Sequence, residues 1–329
     1  MLNTQTEVGV VVIGRNEGLR LVRCLKSLSG KGFIVVYVDS GSTDDSITEA
    51  GKLGVNVLTL DMKTIFTAAR ARNAGFEYLM QISPHLKYVQ FVDGDCEVVL
   101  DWMDKGVSFL ENYLDVAIVS GRCRERYPEE SIYNLMCDLE WNTPVGEAKA
   151  SGGNALVRIK AFQEVNGFLS HLIAGEEPEL CVRLRAAGWK IWRLDMEMVL
   201  HDAAMTKFSQ WWKRSVRGGY AFAEGAFLHG DPPERHWVKE TRRSLLWGLV
   251  IPAVLILTGL FCWKCGLIIA LIYPLQILRL SLRNKRELKP YPWLLATFNV
   301  LGKFAELYGQ FRFYYQHLFG RVVQLIEYK

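Results

Sequence analysis

The first hundred residues alternate between short apolar runs and stretches with helical spacing. Val8–Ile13 is a nearly unbroken β-branched run, the pattern of a strand covered on both faces. Leu19, Val22, Leu25 and Leu28 then recur every three residues and predict a helix. Ile34–Val38 predicts a second strand, and Ser42-Thr-Asp-Asp45 offers N-cap oxygens for a helix to about Leu53. Val55–Leu60 predicts a third strand, Ala68–Met80 a helix and Tyr88–Val92 a fourth strand. Such alternation predicts an α/β fold with a mostly parallel central sheet and helices on both faces. Beyond residue 100 the pattern loosens. Helices are predicted at Trp102–Tyr113, Ala161–Val165, Glu179–Ala187 and Phe208–Phe222, and strands at Val116–Ser120 and Leu156–Arg158. Asp231-Pro-Pro reads as a linker.

The apolar residues then concentrate. Leu245–Trp263 is 19 residues without a charge, and Cys265–Leu278 follows with 14 more. A single helix over both would be about 50 Å long, against a bilayer core of about 30 Å. A hairpin turning near Lys264–Gly266 fits better, with Pro252 able to kink the first arm; a re-entrant hairpin and a buried soluble hairpin are the alternatives. Basic residues flank both arms: Lys239, Arg242 and Arg243 before, Arg279, Arg283, Lys285 and Arg286 after. The positive-inside rule puts both ends in the cytoplasm. Asn299, Lys303, Glu306, Gln310 and His317 form a polar stripe at helical spacing, predicting a helix in the membrane interface.

Charge supports this division. Residues 239–329 carry 13 Lys/Arg against 4 Asp/Glu, and residues 1–238 carry 26 against 31. An acidic head on a basic, apolar foot fits an anionic lipid surface and argues against nucleic acid as a partner. Half of the residues are hydrophobic, which excludes a disordered chain. Seven scattered cysteines form no disulfide framework and predict a reducing compartment; Cys262-Trp-Lys-Cys265 reads as chance spacing. No signal peptide is read at the N-terminus.

In open α/β sheets ligands bind outside the carboxyl ends of the strands. Those ends carry Gly14-Arg-Asn-Glu17, Asp39-Ser-Gly-Ser-Thr-Asp44 and Asp93-Gly-Asp95, three segments converging on one acidic rim. Neither a dinucleotide fingerprint nor a P-loop is present. Two carboxylates one residue apart in extended chain face the same side and suit Mg²⁺ or Mn²⁺. A polar turn is the plainer alternative.

In this order, V-V-I-G-R-N-E, V-D-S-G-S-T-D-D-S, A-R-A-R-N-A-G, F-V-D-G-D, G-E-E-P-E-L-C-V-R and Q-W-W-K-R make the chain resemble glycosyltransferase family 2 from about Val8 to Phe222. The resemblance implies a GT-A nucleotide-sugar-binding sandwich and inverting, metal-dependent sugar transfer. It implies that Asp39 meets the nucleotide base with Glu17 nearby, that Asp93 touches ribose or donor sugar, and that Asp95 holds the divalent ion. Arg72, in preference to Arg70, would reach the diphosphate. Glu177 stands where the family's general base does, a Glu where Asp is usual, which leaves Glu176 as a competitor; an acidic helix N-terminus is the bland alternative. His201 would complete the metal site. Arg214 and Arg217 would reach the diphosphate, and Trp211 or Trp212 would stack a sugar, in a motif whose order is altered. Ser151-Gly-Gly-Asn154 is a polar turn compatible with donor or acceptor contact.

The chain is therefore expected to comprise a GT-A domain over 1–230, a basic linker over 231–244, an apolar helical hairpin over 245–282 and a basic loop with interfacial helix over 283–329. The expected enzyme sits at the inner membrane with its catalytic domain in the cytoplasm. It would use a nucleotide sugar, UDP-linked, and a lipid-linked saccharide acceptor, as in exopolysaccharide assembly. Direct transfer to polyprenyl phosphate and an inactive saccharide- or nucleotide-binding membrane module are the alternatives. A homo-oligomer is compatible with this reading.

Overall fold

The computed structural model describes residues 7–283 and 290–320, so Lys285 and Arg286 of the second basic flank lie outside the described residues. Two compact units emerge. One comprises the chain up to Pro128 together with Glu140–Ala204; the other comprises Glu129–Leu139 and the chain from Met205.

In chain order the first unit contains β1 (Val8–Gly14), α1 (Leu19–Leu28), β2 (Ile34–Asp39), α2 (Ser46–Lys52), β3 (Asn56–Thr59), α3 (Ala68–Ile82), β4 (Tyr88–Asp93), β5 (Cys96–Val98), α4 (Trp102–Asn112) and β6 (Val116–Glu125). After α5 (Ile132–Glu140) come β7 (Gly146–Ala148), β8 (Ala155–Arg158), α6 (Ile159–Glu164), α7 (Glu176–Ala186) and β9 (Lys190–His201). The sheet runs β3-β2-β1-β4-β8-β6-β9-β5, with β7 added to β9. The β3-β2-β1-β4 half is parallel, as the strand–helix alternation requires. β8 is antiparallel to both β4 and β6, and β6 returns parallel to β9.

Each face of the sheet carries its own core. Val11, Val36, Val38, Leu79, Phe91 and Phe162 pack on one side; Val10, Val12, Leu21, Leu25, Tyr37 and Trp102 pack on the other. Successive strand residues thus bury on opposite faces, which is why β1 reads as a continuous apolar run. Parallel register places Gly14 beside Asp39 and Ile13 beside Asp93. The three polar strand ends therefore do share one rim.

Four strands and the helix α5 escaped the sequence pattern or exceeded it. β5 and β7 have three residues each, too few for periodicity to register. β6 runs to Glu125 rather than Ser120, with register shifts against β9 that break its alternation. β9 spans 12 residues, of which only Met198–Leu200 form an apolar run.

The second unit holds α8 (Phe208–His229), α9 (Val238–Leu245), a single π turn at Leu246–Val250, α10 (Ile251–Phe261), α11 (Trp263–Ala270), α12 (Ile272–Arg283) and α13 (Pro292–Phe319). α8 and α13 meet at backbone distance. A Cβ on Gly219 would lie 1.9 Å from the Glu306 carbonyl oxygen, and one on Gly309 would lie 2.0 Å from that of Val216. This contact buries Gln310, whose side chain donates to the Thr241 carbonyl, while Glu306 pairs with Lys303 and accepts from Ser244. The polar stripe expected to face water is thus partly consumed by helix packing, with Asn299 and His317 left exposed.

Val238–Phe261 and Trp263–Arg283 are 24 and 21 residues, each long and apolar enough to cross a membrane. Their apolar side chains are largely exposed; Phe261 exposes 91% of its surface and Leu260 77%. That exposure speaks against the buried soluble hairpin. Pro252 has no N–H to offer the Gly248 carbonyl, and the ladder widens into the π turn at this point. The reversal comes at extended Cys262, slightly before the expected Lys264–Gly266. Gly266 then rests on Gly259, and the Tyr273 hydroxyl donates to the Trp247 carbonyl at 2.7 Å.

The reading of Cys262 and Cys265 as unrelated is corrected: they form a disulfide. Cys262 caps α11, its sulfur accepting the Cys265 N–H, and this first-turn geometry brings side chains three residues apart together. Cys24, Cys96 and Cys181 are buried thiols.

Candidate active site

The rim is organised around Arg72. It lies in the first turns of α3, which is capped by Thr67, whose hydroxyl accepts the Arg70 N–H. Arg72 exposes 2% of its surface, and its guanidinium meets three carboxylates: Asp93 at 2.8 Å, and Glu176 and Glu177 at 2.9 Å each. Arg70 turns away and donates to the carbonyls of Asp61 and Thr64. The preference for Arg72 thus selects the residue in the acidic cluster, here bound to the chain's own carboxylates.

The three acids come from two places. Asp93 ends β4; Glu176 and Glu177 open α7, where the helix dipole favours negative charge. Glu179, also in that turn, is buried against Arg183 in a two-pronged ion pair and serves the helix itself. Burial alone would lower the Arg72 pKa; Glu177, Asp93 and Glu176 reverse this and raise it. Glu177 feels burial most, then the like charge of Glu176, against the pull of Arg72. The net effect pushes its carboxyl up to about 7. That is the range in which a general base at neutral pH is most useful.

The turn before β8 closes over this cluster. A Cβ on Gly153 would stand 2.2 Å from Arg72 Nη2, 2.9 Å from Glu177 Oε1 and 3.0 Å from Asp93 Oδ2. Glycine is therefore required where the chain passes the charges. Its neighbour Asn154 accepts the Asp93 N–H and lies 3.4 Å from Asp93 Oδ2. Read from sequence as a polar turn compatible with donor or acceptor contact, this segment lies against the Arg72 cluster.

Asp95 faces different partners from Asp93, because the chain turns at Gly94-Asp95 instead of continuing extended. Asp95 Oδ2 lies 3.3 Å from His201 Nε2, and Cys96 Sγ is close enough to complete a three-residue cluster. His201 Nδ1 lies 3.5 Å from Glu125 Oε2, and the Trp141 ring meets the imidazole edge-on. A carboxylate behind the far nitrogen is how metal-binding histidines are commonly oriented. An oxygen and an imidazole nitrogen suit Mn²⁺ well and Mg²⁺ acceptably. Cys96 is a poor third ligand for a hard ion, since burial holds its thiol well above the usual range. Glu125 was not anticipated; the shortened reading of β6 ended before it.

Asp39 is fully buried. Its Oδ1 accepts from the Tyr37 hydroxyl, and its Oδ2 accepts the N–H groups of Gly41 and Ser42, each at 2.9 Å. Asp39 therefore holds the turn after β2 in shape. The same turn is tied to the first strand end, since Asn16 Oδ1 accepts the Thr43 N–H and the Asn16 N–H donates to Ser42 Oγ. Glu17 pairs with Arg20 at 2.8 Å.

Arg214 and Arg217 stand on α8 in the other unit. Gln210 accepts the N–H groups of Thr206 and Lys207 and so caps that helix. Trp211 is buried, edge-on to Phe298, whereas Trp212 is half-buried.

Comparison with known proteins agrees with this architecture. Residues 9–165 match the profile of "Glycosyl transferase family 2". The chain is 26% identical over 204 residues to glycosyltransferase AglE of Haloferax volcanii, covering 58% of this chain and 65% of that protein. It is 29% identical over 213 residues to the succinoglycan biosynthesis protein ExoA of Rhizobium meliloti, covering 60% and 64%. The chain thus spans less than two thirds of the length of these relatives. Among solved structures, a mannosyltransferase of Pyrobaculum calidifontis, in complex with GDP-Man and Mn²⁺, superposes with a TM-score of 0.63. That likeness covers 93% of this chain and 87% of that one at 16% identity, and concerns the fold.

Proposed function

The chain belongs to glycosyltransferase family 2 and has its GT-A fold, and from that premise we propose that it moves a sugar from a UDP-linked donor to a lipid-linked saccharide, with inversion at the anomeric carbon. The observation that carries the reading is the Arg72 cluster: one guanidinium, three carboxylates, and a Glu177 carboxyl raised to about 7.

The Glu177 carboxylate accepts the proton of the acceptor hydroxyl as that oxygen attacks the anomeric carbon. The carbon–oxygen bond to the diphosphate breaks, and the nucleoside diphosphate leaves with the electron pair. Attack opposite the leaving group inverts the centre. Glu176, more deeply buried beside Arg72, positions the guanidinium. Asp93, the most open acid of the cluster, is available to ribose or donor sugar. Asp39 and Glu17 frame the turns that receive the nucleotide base. A Mn²⁺ or Mg²⁺ ion held by Asp95 and His201 would neutralise charge on the leaving diphosphate.

Membrane attachment through Val238–Phe261 and Trp263–Arg283 is part of the same proposal, with the catalytic unit on the cytoplasmic side of the inner membrane. It is supported by exposed apolar helices and basic flanks. A role in glycan assembly is supported by a relative named for succinoglycan biosynthesis, and the lipid-linked acceptor by the exposed apolar helices. The test is a panel of nucleotide sugars with purified full-length protein, with and without Mn²⁺ and lipid-linked saccharide acceptors. Metal-dependent release of a nucleoside diphosphate, accelerated by a lipid acceptor, is expected. Release from no donor, or release indifferent to every lipid acceptor, would sink the proposal.

A further inference from the structure

A cavity of about 320 Å³ opens at the head of the first apolar helix, lined by Arg235, Val238, Lys239, Arg242, Arg243 and Leu246. Four of its six lining residues are cations. All four are exposed, and among the described residues none of the four has an ion pair. Lys239, Arg242, Arg243 and Leu246 follow one another at helical spacing, and Arg235 joins them from the loop before α9. Four like charges converging on one cavity repel one another, so an anion that enters it relieves that repulsion.

The cavity's place along the helix says which anion. α9 continues without a break into the apolar stretch, so Val238–Phe261 is one 24-residue helix. Leu245, Leu246, Leu249 and Val250, immediately beyond the cations, are exposed apolar side chains. A helix inserted to bury these residues sets Arg242 and Arg243 at the depth of lipid headgroups, about one turn above the acyl region. Val238 and Leu246 give the cavity apolar walls, which a phosphate with a glycerol or acyl stem attached can use and a free phosphate cannot.

We infer that this cavity binds the phosphodiester headgroup of an anionic bilayer phospholipid. The inference rests on the membrane attachment proposed above. It assigns the site to bulk lipid, separate from the acceptor. A headgroup held there fixes the depth and rotation of the helix.

The test uses full-length protein in a neutral detergent and three probes: dioctanoyl phosphatidylglycerol, dioctanoyl phosphatidylcholine and inorganic phosphate. Thermal melting should rise saturably with phosphatidylglycerol and stay flat with the other two. The double variant Arg242→Gln/Arg243→Gln should weaken phosphatidylglycerol binding about 30-fold, at about 1 kcal/mol for each basic residue near an anionic surface. The double variant Arg279→Gln/Arg283→Gln, which removes equal charge outside the cavity, should bind as wild type does. Equal responses to both lipids, a phosphate response matching phosphatidylglycerol, or unchanged binding by the cavity variant would each overturn the inference. Sedimentation of each protein with membranes is read separately. A cavity variant that stays membrane-bound, beside a wild type that ignores phosphatidylglycerol, defeats the headgroup site and leaves the attachment standing.

Discussion

Replacing Glu177 by glutamine should drive activity and stability in opposite directions. The substitution keeps the shape of the side chain and removes its charge. As proposed base, Glu177 accepts the acceptor proton, and its loss should lower turnover by about 10²- to 10⁴-fold with donor affinity nearly unchanged. Stability follows from the raised carboxyl. Ionised Glu177 is less favourable folded than unfolded, because burial and Glu176 push its pKa from 4.5 to about 7. Below pH 4.5 the group is protonated in both states and has no effect. As pH rises towards 7 the unfolded chain ionises first, and the folded state loses stability; above 7 the deficit is constant. At about 1.4 kcal/mol per tenfold step, the deficit approaches roughly 3 kcal/mol. Only 17% of the side chain is exposed, so solvent screens it little. Glu177→Gln removes the deficit and should melt several degrees higher than wild type at pH 8, the gap closing by pH 5. The assay is paired melting curves of purified full-length protein from pH 5 to 8, with turnover measured on the same samples. A variant that melts below wild type at pH 8, or a gap that ignores pH, would refute the electrostatic account. Near-normal turnover would move the base to Glu176.

Wild-type kcat/KM for the acceptor should rise with pH through about 7, where Glu177 ionises; a flat profile from pH 6 to 8 speaks against it. Gly153→Ala drives a methyl into Arg72, Glu177 and Asp93, so donor turnover should fall at least about 100-fold with a stability loss of about 1–3 kcal/mol; activity within a few-fold of wild type would show that the turn yields. Glu125→Gln removes the carboxylate behind His201 and should weaken Mn²⁺ binding about 10- to 100-fold in a spectroscopic titration, without unfolding the chain; unchanged affinity would place the ion elsewhere. Truncation after Glu240 removes α13 and uncovers Trp211, Val216 and Tyr220 on α8, so the product should aggregate; a soluble, monodisperse product contradicts the packing described.

The sequence made the parallel half of the sheet legible because its strands are buried on both faces and its helices keep a single period. The polar segments at its strand ends were legible for the same reason: an abrupt change from β-branched to polar residues marks each rim position. What stayed hidden depends on contacts between distant segments. Glu125 ends a strand whose bulges disrupt alternation, and nothing local links it to His201, 76 residues away. Asn154 and Gly153 look like any polar turn until Asp93 and Arg72 are brought beside them. Arg72 and Glu177 were each singled out, but not the ion pair between them, since one was assigned to the diphosphate and the other to the acceptor. The disulfide was misjudged because composition speaks for the chain as a whole and is silent on a single helix turn.

The Arg72 cluster also bears on how the chain reaches its native state. Its members lie 21 and 104 residues apart in sequence, on α3, the end of β4 and the start of α7. The first four strands pair through short crossovers and can associate as they emerge. The cluster cannot, because Glu176 follows both β6 and β8 in the chain, and β8 is the strand that pairs with β4. Such non-local closure is slow relative to the pairing of neighbouring elements. Until it occurs, Arg72 stays hydrated with at most one of its three carboxylates, and the site has no base. A ribosome-bound fragment ending before α7 would therefore carry the nucleotide-side rim and no transfer chemistry, so competence is gained in one late step when the last acids dock.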